Sequence, residues 1–141
     1  MSITNILPSQ IGEFLLKAGQ IDDKQLNEAS ALQKTHGILL GKALIATQAI
    51  DELTLYQSMA SLYGLELFDF DKNQIDKQLT TLLPESIARR FCLLAVSQSG
   101  QTPTIAFAHP QDIIAKDEMS RRFPKGYKIV LAKESELIIA I

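Results

Sequence analysis

The chain has 141 residues, is 46% hydrophobic and carries a formal net charge of −2. That is enough for one compact domain or two small subdomains with an apolar core. The near-balanced charge offers no basic face for nucleic acid, and no stretch approaches the ~20 apolar residues of a membrane span, so neither nucleic-acid binding nor direct membrane insertion is expected.

Taken in order, the first half reads as helix. Ser9 is a suitable N-cap, and Ile11, Phe14, Leu15 and Ala18 recur at helical spacing before Gly19. A second helix opens at Asp22, with Gln25 three residues on as in a capping box, carries Leu26, Ala29 and Leu32 on one face, and stops at Gly37. A third spans about Leu39 to Thr47. A fourth starts at Asp51, aligns Leu55, Met59 and Leu62, and closes at Gly64. A shift of 29 residues superimposes the first pair on the second. Gly12 meets Gly41, Leu15 meets Leu44, Ile21 meets Ile50, Asp22 meets Asp51, Leu26 meets Leu55 and Ala31 meets Ala60. One helix pair cannot bury its apolar face alone, so two copies are expected to pack together as a small bundle.

After Gly64 the pattern changes. Leu65 to Phe70 alternates as a half-buried strand. Residues 71–82 read as a loop and short helix. Leu83-Pro84-Glu85-Ser86 opens a helix to about Phe91, with Pro84 at its first position. Cys92 to Ser97 and Thr104 to Ala108 form a hairpin around Gly100. Gln111 to Phe123 reads as a helix anchored by Ile114, Met119 and Phe123. Tyr127 to Leu131 is a strand, and Ser135 to Ile141 a short helix. The fold class is therefore α+β. A four-helix tandem repeat (residues 1–64) precedes a small α+β subdomain with about four strands (residues 65–141). The halves also differ in charge: residues 1–64 contain no arginine, while the second half holds every arginine and four of the five prolines. The chain stops directly after its last helix, which suggests a domain excised from a longer protein.

Enzyme signatures are absent. The chain has no Gly-x-x-x-x-Gly-Lys-Ser/Thr loop to cradle phosphates and no Gly-x-Ser-x-Gly elbow. His36 and His109 have no metal-ligand spacing with each other and read as capping or surface residues. The single cysteine, Cys92, lies in an apolar run and reads as a small core residue. Asp22-Asp23 fits helix capping better than carboxylate chemistry. The doublets Arg89-Arg90 and Arg121-Arg122 sit late in helices, where cations suit the dipole. No catalytic, cofactor-binding or metal-ligating residue is expected. A lone cysteine and the absence of a basic N-terminal leader point to the cytoplasm.

The run Gln10-Ile11-Gly12-x-x-Leu15-x-x-x-Gly19, followed by Leu26, Ala29 and Gln33, resembles the first of two tandem motifs at the N-terminus of the ATPases that drive type II secretion and type IV pilus assembly. The second copy is Leu39-Leu40-Gly41-x-x-Leu44, then Leu55. Leu83-Pro84-Glu85-x-x-Ala88-Arg89-Arg90 and Ile105-Ala106-Phe107-Ala108-His109-Pro110-x-Asp112 are similar to landmarks of the α+β part of that domain. The resemblance implies one of two roles. The first is docking onto the cytoplasmic domain of an inner-membrane platform partner, which would hold the protein at the membrane periphery. The alternative is a cyclic di-GMP sensor in such an ATPase or in a membrane glycosyltransferase. On that alternative the ligand motif would comprise Gln10, Gly12, Leu15, Gly19, Leu26, Gln33, Gly41, Leu44 and Leu55. Binding members begin each motif Arg-Leu-Gly, whereas here those arginine positions hold Gln10 and Leu39, the second closing glutamine is Leu62, and the later glycine becomes Gln48. Because Arg supplies bidentate phosphate contacts and stacks on bases, these departures favour docking.

Overall fold

In the computed structural model, which describes residues 9–73, 75 and 77–141, helix dominates one part of the chain and a mixed sheet the other. By their contacts the residues fall into two units that divide after Gly64. The first contains α1 (Ser9–Lys17), α2 (Asp23–His36), α3 (Leu40–Ala46) and α4 (Glu52–Tyr63). Local chemistry sets the ends of these helices. Asp22 accepts from the Gln25 backbone N–H at 2.8 Å while the Gln25 side chain accepts from the Asp22 N–H at 2.9 Å, a complete capping box. Asp51 accepts from the Thr54 N–H at 2.7 Å. Gly37 and Gly64 close α2 and α4 in the left-handed conformation.

Backbone geometry repeats at an interval of 29. After α1, the Gly19 N–H donates to Leu16 C=O at 3.1 Å and the Gln20 N–H to Leu15 C=O at 3.0 Å. After α3, the Gln48 N–H donates to Ile45 C=O and the Ala49 N–H to Leu44 C=O, both at 3.0 Å. Both are Schellman closures. Each requires a left-handed residue, and φ is +74° at Gly19 and +63° at Gln48. Ile21 and Ile50, next along the two copies, are both buried. The second copy therefore keeps the turn although its glycine is missing.

The second unit holds a 3-10 turn (Lys77–Thr81), α5 (Glu85–Phe91), β1 (Leu93–Ser99), β2 (Thr102–Phe107), α6 (Ile113–Arg122), β3 (Lys128–Leu131) and α7 (Glu134–Ala140). The sheet order is β1-β2-β3, with β2 antiparallel to β1 and parallel to β3. Strand alternation sorts side chains onto two covered faces. Leu93, Ala95, Ile105 and Phe107 pack with Ala115 and Met119 of α6 and with Leu79 and Phe91. Leu94, Val96, Ala106 and Ala108 pack with Leu137 of α7 and with the loop residues Phe68, Phe70 and Ile75. With both faces buried, β1 and β2 read as apolar runs rather than as clean alternation.

Three sequence expectations are corrected. Among the described residues the sheet has three strands, not about four, because residues 65–70 contribute only an isolated parallel bridge, Leu67 to Leu131. Asp69 then accepts from the Asp71 N–H at 2.9 Å, a local turn that competes with an extended ladder. In α6 the buried anchors are Ala115 and Met119, while Ile114 is 65% exposed. The helix presents the i, i+4 pair to the sheet, and a small residue at Ala115 allows close approach. Pro84 is the N-cap of α5, with ψ at 146°, rather than its first helical residue.

A left-handed non-glycine residue costs roughly 1–2 kcal/mol, partly offset by the greater chain entropy glycine loses on folding. Gln48→Gly is therefore expected to stabilise the protein by about 0.5–1 kcal/mol, read as a higher urea midpoint with an unchanged slope. A lower midpoint would show that the Gln48 side chain makes a compensating contact.

Candidate functional site

The nine motif positions lie on α1 to α4 and their connecting turns. Their placement follows from how closely the helices approach. A Cβ built on Gly12 would lie 3.0 Å from Leu26 Cδ1 and 3.0 Å from Leu40 Cδ2. One built on Gly41 would lie 3.0 Å from Leu55 Cδ2 and 3.4 Å from its Cδ1. Gly12 to Leu26 and Gly41 to Leu55 are the same contact, 29 residues apart. Leu15 and Leu44 are fully buried, and Leu55 is buried as well. Six motif residues thus serve helix packing: Gly12, Leu15, Leu26, Gly41, Leu44 and Leu55. Gly19 serves the left-handed turn. Gln10 and Gln33 are half-buried and retain polar side chains.

The electrostatics of this region are weak. Residues 1–64 hold Lys17, Lys24, Lys34 and Lys42 against six acids. Position 10 offers a neutral amide, and position 39 an aliphatic side chain that is half-buried as the α3 N-cap and makes no side-chain cap. Hydrogen bonds from Thr54 hold the Asp51 carboxyl below the usual carboxylate range. That stabilises the anion at a helix start and marks no catalytic acid. Among the described residues no helix is long and apolar enough to cross a membrane.

Sequence reasoning overlooked one juxtaposition in the other unit. Cys92, His109 and Glu134, distant in sequence, bring one ligand-type atom each to within 4.8 Å of one another. Neighbour spacing along the chain gives no hint of it, because the strand register creates it.

Comparison with known proteins gives a consistent picture. Residues 63–141 match the family model described as the MshEN domain. The type IV pilus assembly ATPase PilB of Myxococcus xanthus is 27% identical over 94% of this chain. PilB of Thermus thermophilus is 24% identical over 84%. The chain spans only 23% and 14% of those two proteins. A structure of MshE with cdg (cyclic di-GMP) superimposes with a TM-score of 0.83 at 31% identity, covering 92% of this chain and 94% of that one. The N-terminal domain of XpsE shares the fold, with a TM-score of 0.72 at 20% identity over 93% of this chain and 90% of that one.

Two outcomes follow from the helix contacts and caps. Gly41→Val is expected to destabilise the protein by roughly 1–3 kcal/mol, because the added methyls must displace Leu55 from a filled site. Equilibrium unfolding checks it, and an unchanged midpoint would show that Leu55 yields freely. Asp51 has a lowered folded pKa, so its contribution is present above the ordinary carboxylate range and is lost as pH falls through the lowered value. The melting temperature of Asp51→Ala should therefore lie below that of the natural chain near neutrality and converge with it in acid. A gap independent of pH would assign the loss to something other than the carboxylate.

Proposed function

The chain belongs to the MshEN domain family, and from that membership we propose that it is a non-catalytic docking and regulatory domain of a secretion or pilus assembly ATPase, coupling the motor to an inner-membrane platform protein in the cytoplasm. The observation that carries this reading is the division of labour among the motif residues. The glycines and leucines hold α1 to α4 together, whereas the two positions expected to carry arginine are Gln10 and Leu39. The scaffold persists without the side chains that would clamp a dinucleotide's phosphates. A folded surface of this kind, with no phosphate loop in the sequence, suits protein–protein contact.

A second reading, cyclic di-GMP sensing, is favoured by the likeness to the structure of MshE with cdg. Both readings predict the same fold and differ in ligand energetics. A hydrogen bond to a charged group contributes on the order of 1.5–3 kcal/mol. Two absent arginines would therefore weaken dinucleotide binding by roughly two to four orders of magnitude if the losses add.

Calorimetric titration with cyclic di-GMP separates the two. The natural chain is expected to bind weakly or not at all, and the Gln10→Arg/Leu39→Arg variant to bind more tightly. Submicromolar binding by the natural chain would make the sensor reading primary. The purified cytoplasmic domain of the platform protein encoded alongside the ATPase, immobilised on a biosensor, should bind the chain saturably. Failure there would remove the docking reading.

A further inference from the structure

The sheet register assembles a cluster that the helical motif does not involve. Leu93 at the start of β1 pairs with Phe107 at the end of β2, which pairs with Leu131 at the end of β3. One end of the sheet therefore gathers the residue before β1, the segment after β2 and the segment after β3. Cys92 immediately precedes Leu93, His109 follows Phe107 by two residues, and Glu134 opens α7 three residues after Leu131. Backbone bonds fix these approaches. The Ala108 N–H donates to Cys92 C=O at 3.1 Å, and the Ala132 N–H to Phe107 C=O at 3.0 Å.

We propose that Cys92, His109 and Glu134 form a three-ligand site for a divalent metal ion of the zinc class, with a fourth position open to water. The Cys Sγ, a His ring nitrogen and a carboxylate oxygen lie mutually within 4.8 Å. His109 Nε2 and Glu134 Oε2 are 3.7 Å apart. That spacing is close to the ~3.4 Å that separates two ligands each ~2.0–2.1 Å from a tetrahedral zinc. A thiolate, an imidazole and a carboxylate together suit a borderline-soft ion rather than calcium or magnesium, which prefer all-oxygen sites.

The burial gradient fits as well. Cys92 is 8% exposed, while the His109 and Glu134 side chains are 20% and 19% exposed. The thiolate would sit on the dry side and the other two at an entry path from solvent. Cys92 also takes φ +52° as the residue closing α5. Glycine fills the corresponding left-handed position after α2 and α4. Bound metal would clamp the end of α5, the β2–α6 turn and the start of α7 to one another.

Because the chain has a single cysteine, a thiolate-to-cobalt charge-transfer band can arise only from Cys92. Cobalt(II) titrated into the purified, reduced chain should develop that band at one equivalent, and zinc should bleach it. Zinc should also protect Cys92 from alkylation. Loss of a residue that merely orients a ligand weakens metal binding about 10–100-fold, so His109→Gln and Glu134→Gln should each weaken it by roughly 100-fold or more. His36→Gln, remote in sequence, should leave it unchanged. Cys92→Ser tests the thiolate directly. If that variant fails to fold, the other two, whose circular dichroism should remain native, still decide. Absence of the band, or unchanged affinity in folded His109→Gln and Glu134→Gln variants, would overturn the site. So would loss of binding in His36→Gln.

Discussion

The helical unit depends on a leucine seated directly on a glycine of a neighbouring helix. Leu26 meets Gly12, and Leu55 meets Gly41, so closely that a Cβ would fit only if the leucine gave way by a few tenths of an ångström. From that approach the rest follows. Helices that close need a small residue at the crossing and buried leucines beside it, supplied by Leu15 and Leu44. The turn between helices must reverse within a few residues, which the Schellman closures at Gly19 and Gln48 accomplish. The returning helix must then begin at once, and Asp22 and Asp51 cap it. Each element of the 29-residue unit is constrained by the one before it. The interval survives at Gln48, where glycine has been lost and the backbone has not changed.

In the second unit the equivalent constraint is that β2 is central and covered on both sides. Its alternate residues feed two separate clusters, one beneath α6 and one beneath α7. Ile105 and Phe107 face one way, Ala106 and Ala108 the other. Small residues on the α7 side let that helix and the loop residues Phe68 and Phe70 lie close to the sheet. The same parallel pairing that places β3 beside β2 delivers Glu134 to the end of the sheet where Cys92 and His109 already lie. Topology, rather than any local motif, makes that meeting.

This explains what could be read from the residues alone. The capped starts at Asp22 and Asp51, the left-handed closures at Gly19, Gly37 and Gly64, and the hairpin around Gly100 depend on near neighbours, and local chemistry is written in the sequence. The strand expected at Leu65 to Phe70 is reduced to one bridge because the Asp69 side chain bonds its own backbone, an outcome that alternation cannot register. Periodicity misplaces Ile114 because it gives a helix a face but not which face meets the sheet, and the sheet selects Ala115 and Met119. The Cys92, His109 and Glu134 cluster is invisible in sequence for the most basic reason. Three elements must fold before its members become neighbours.

The motif positions illustrate a limit on inference from pattern. A glycine or leucine that packs helices is retained whether or not a nucleotide binds, since removing it costs stability in either case. Such positions therefore report the scaffold. The more informative positions are those that carry less of the packing. Gln10 and Leu39, half-buried at the start of the two copies, lack the charge and planar fork that phosphates and bases favour. The packing residues tie this chain to its family's scaffold, and the two copies open on residues other than arginine.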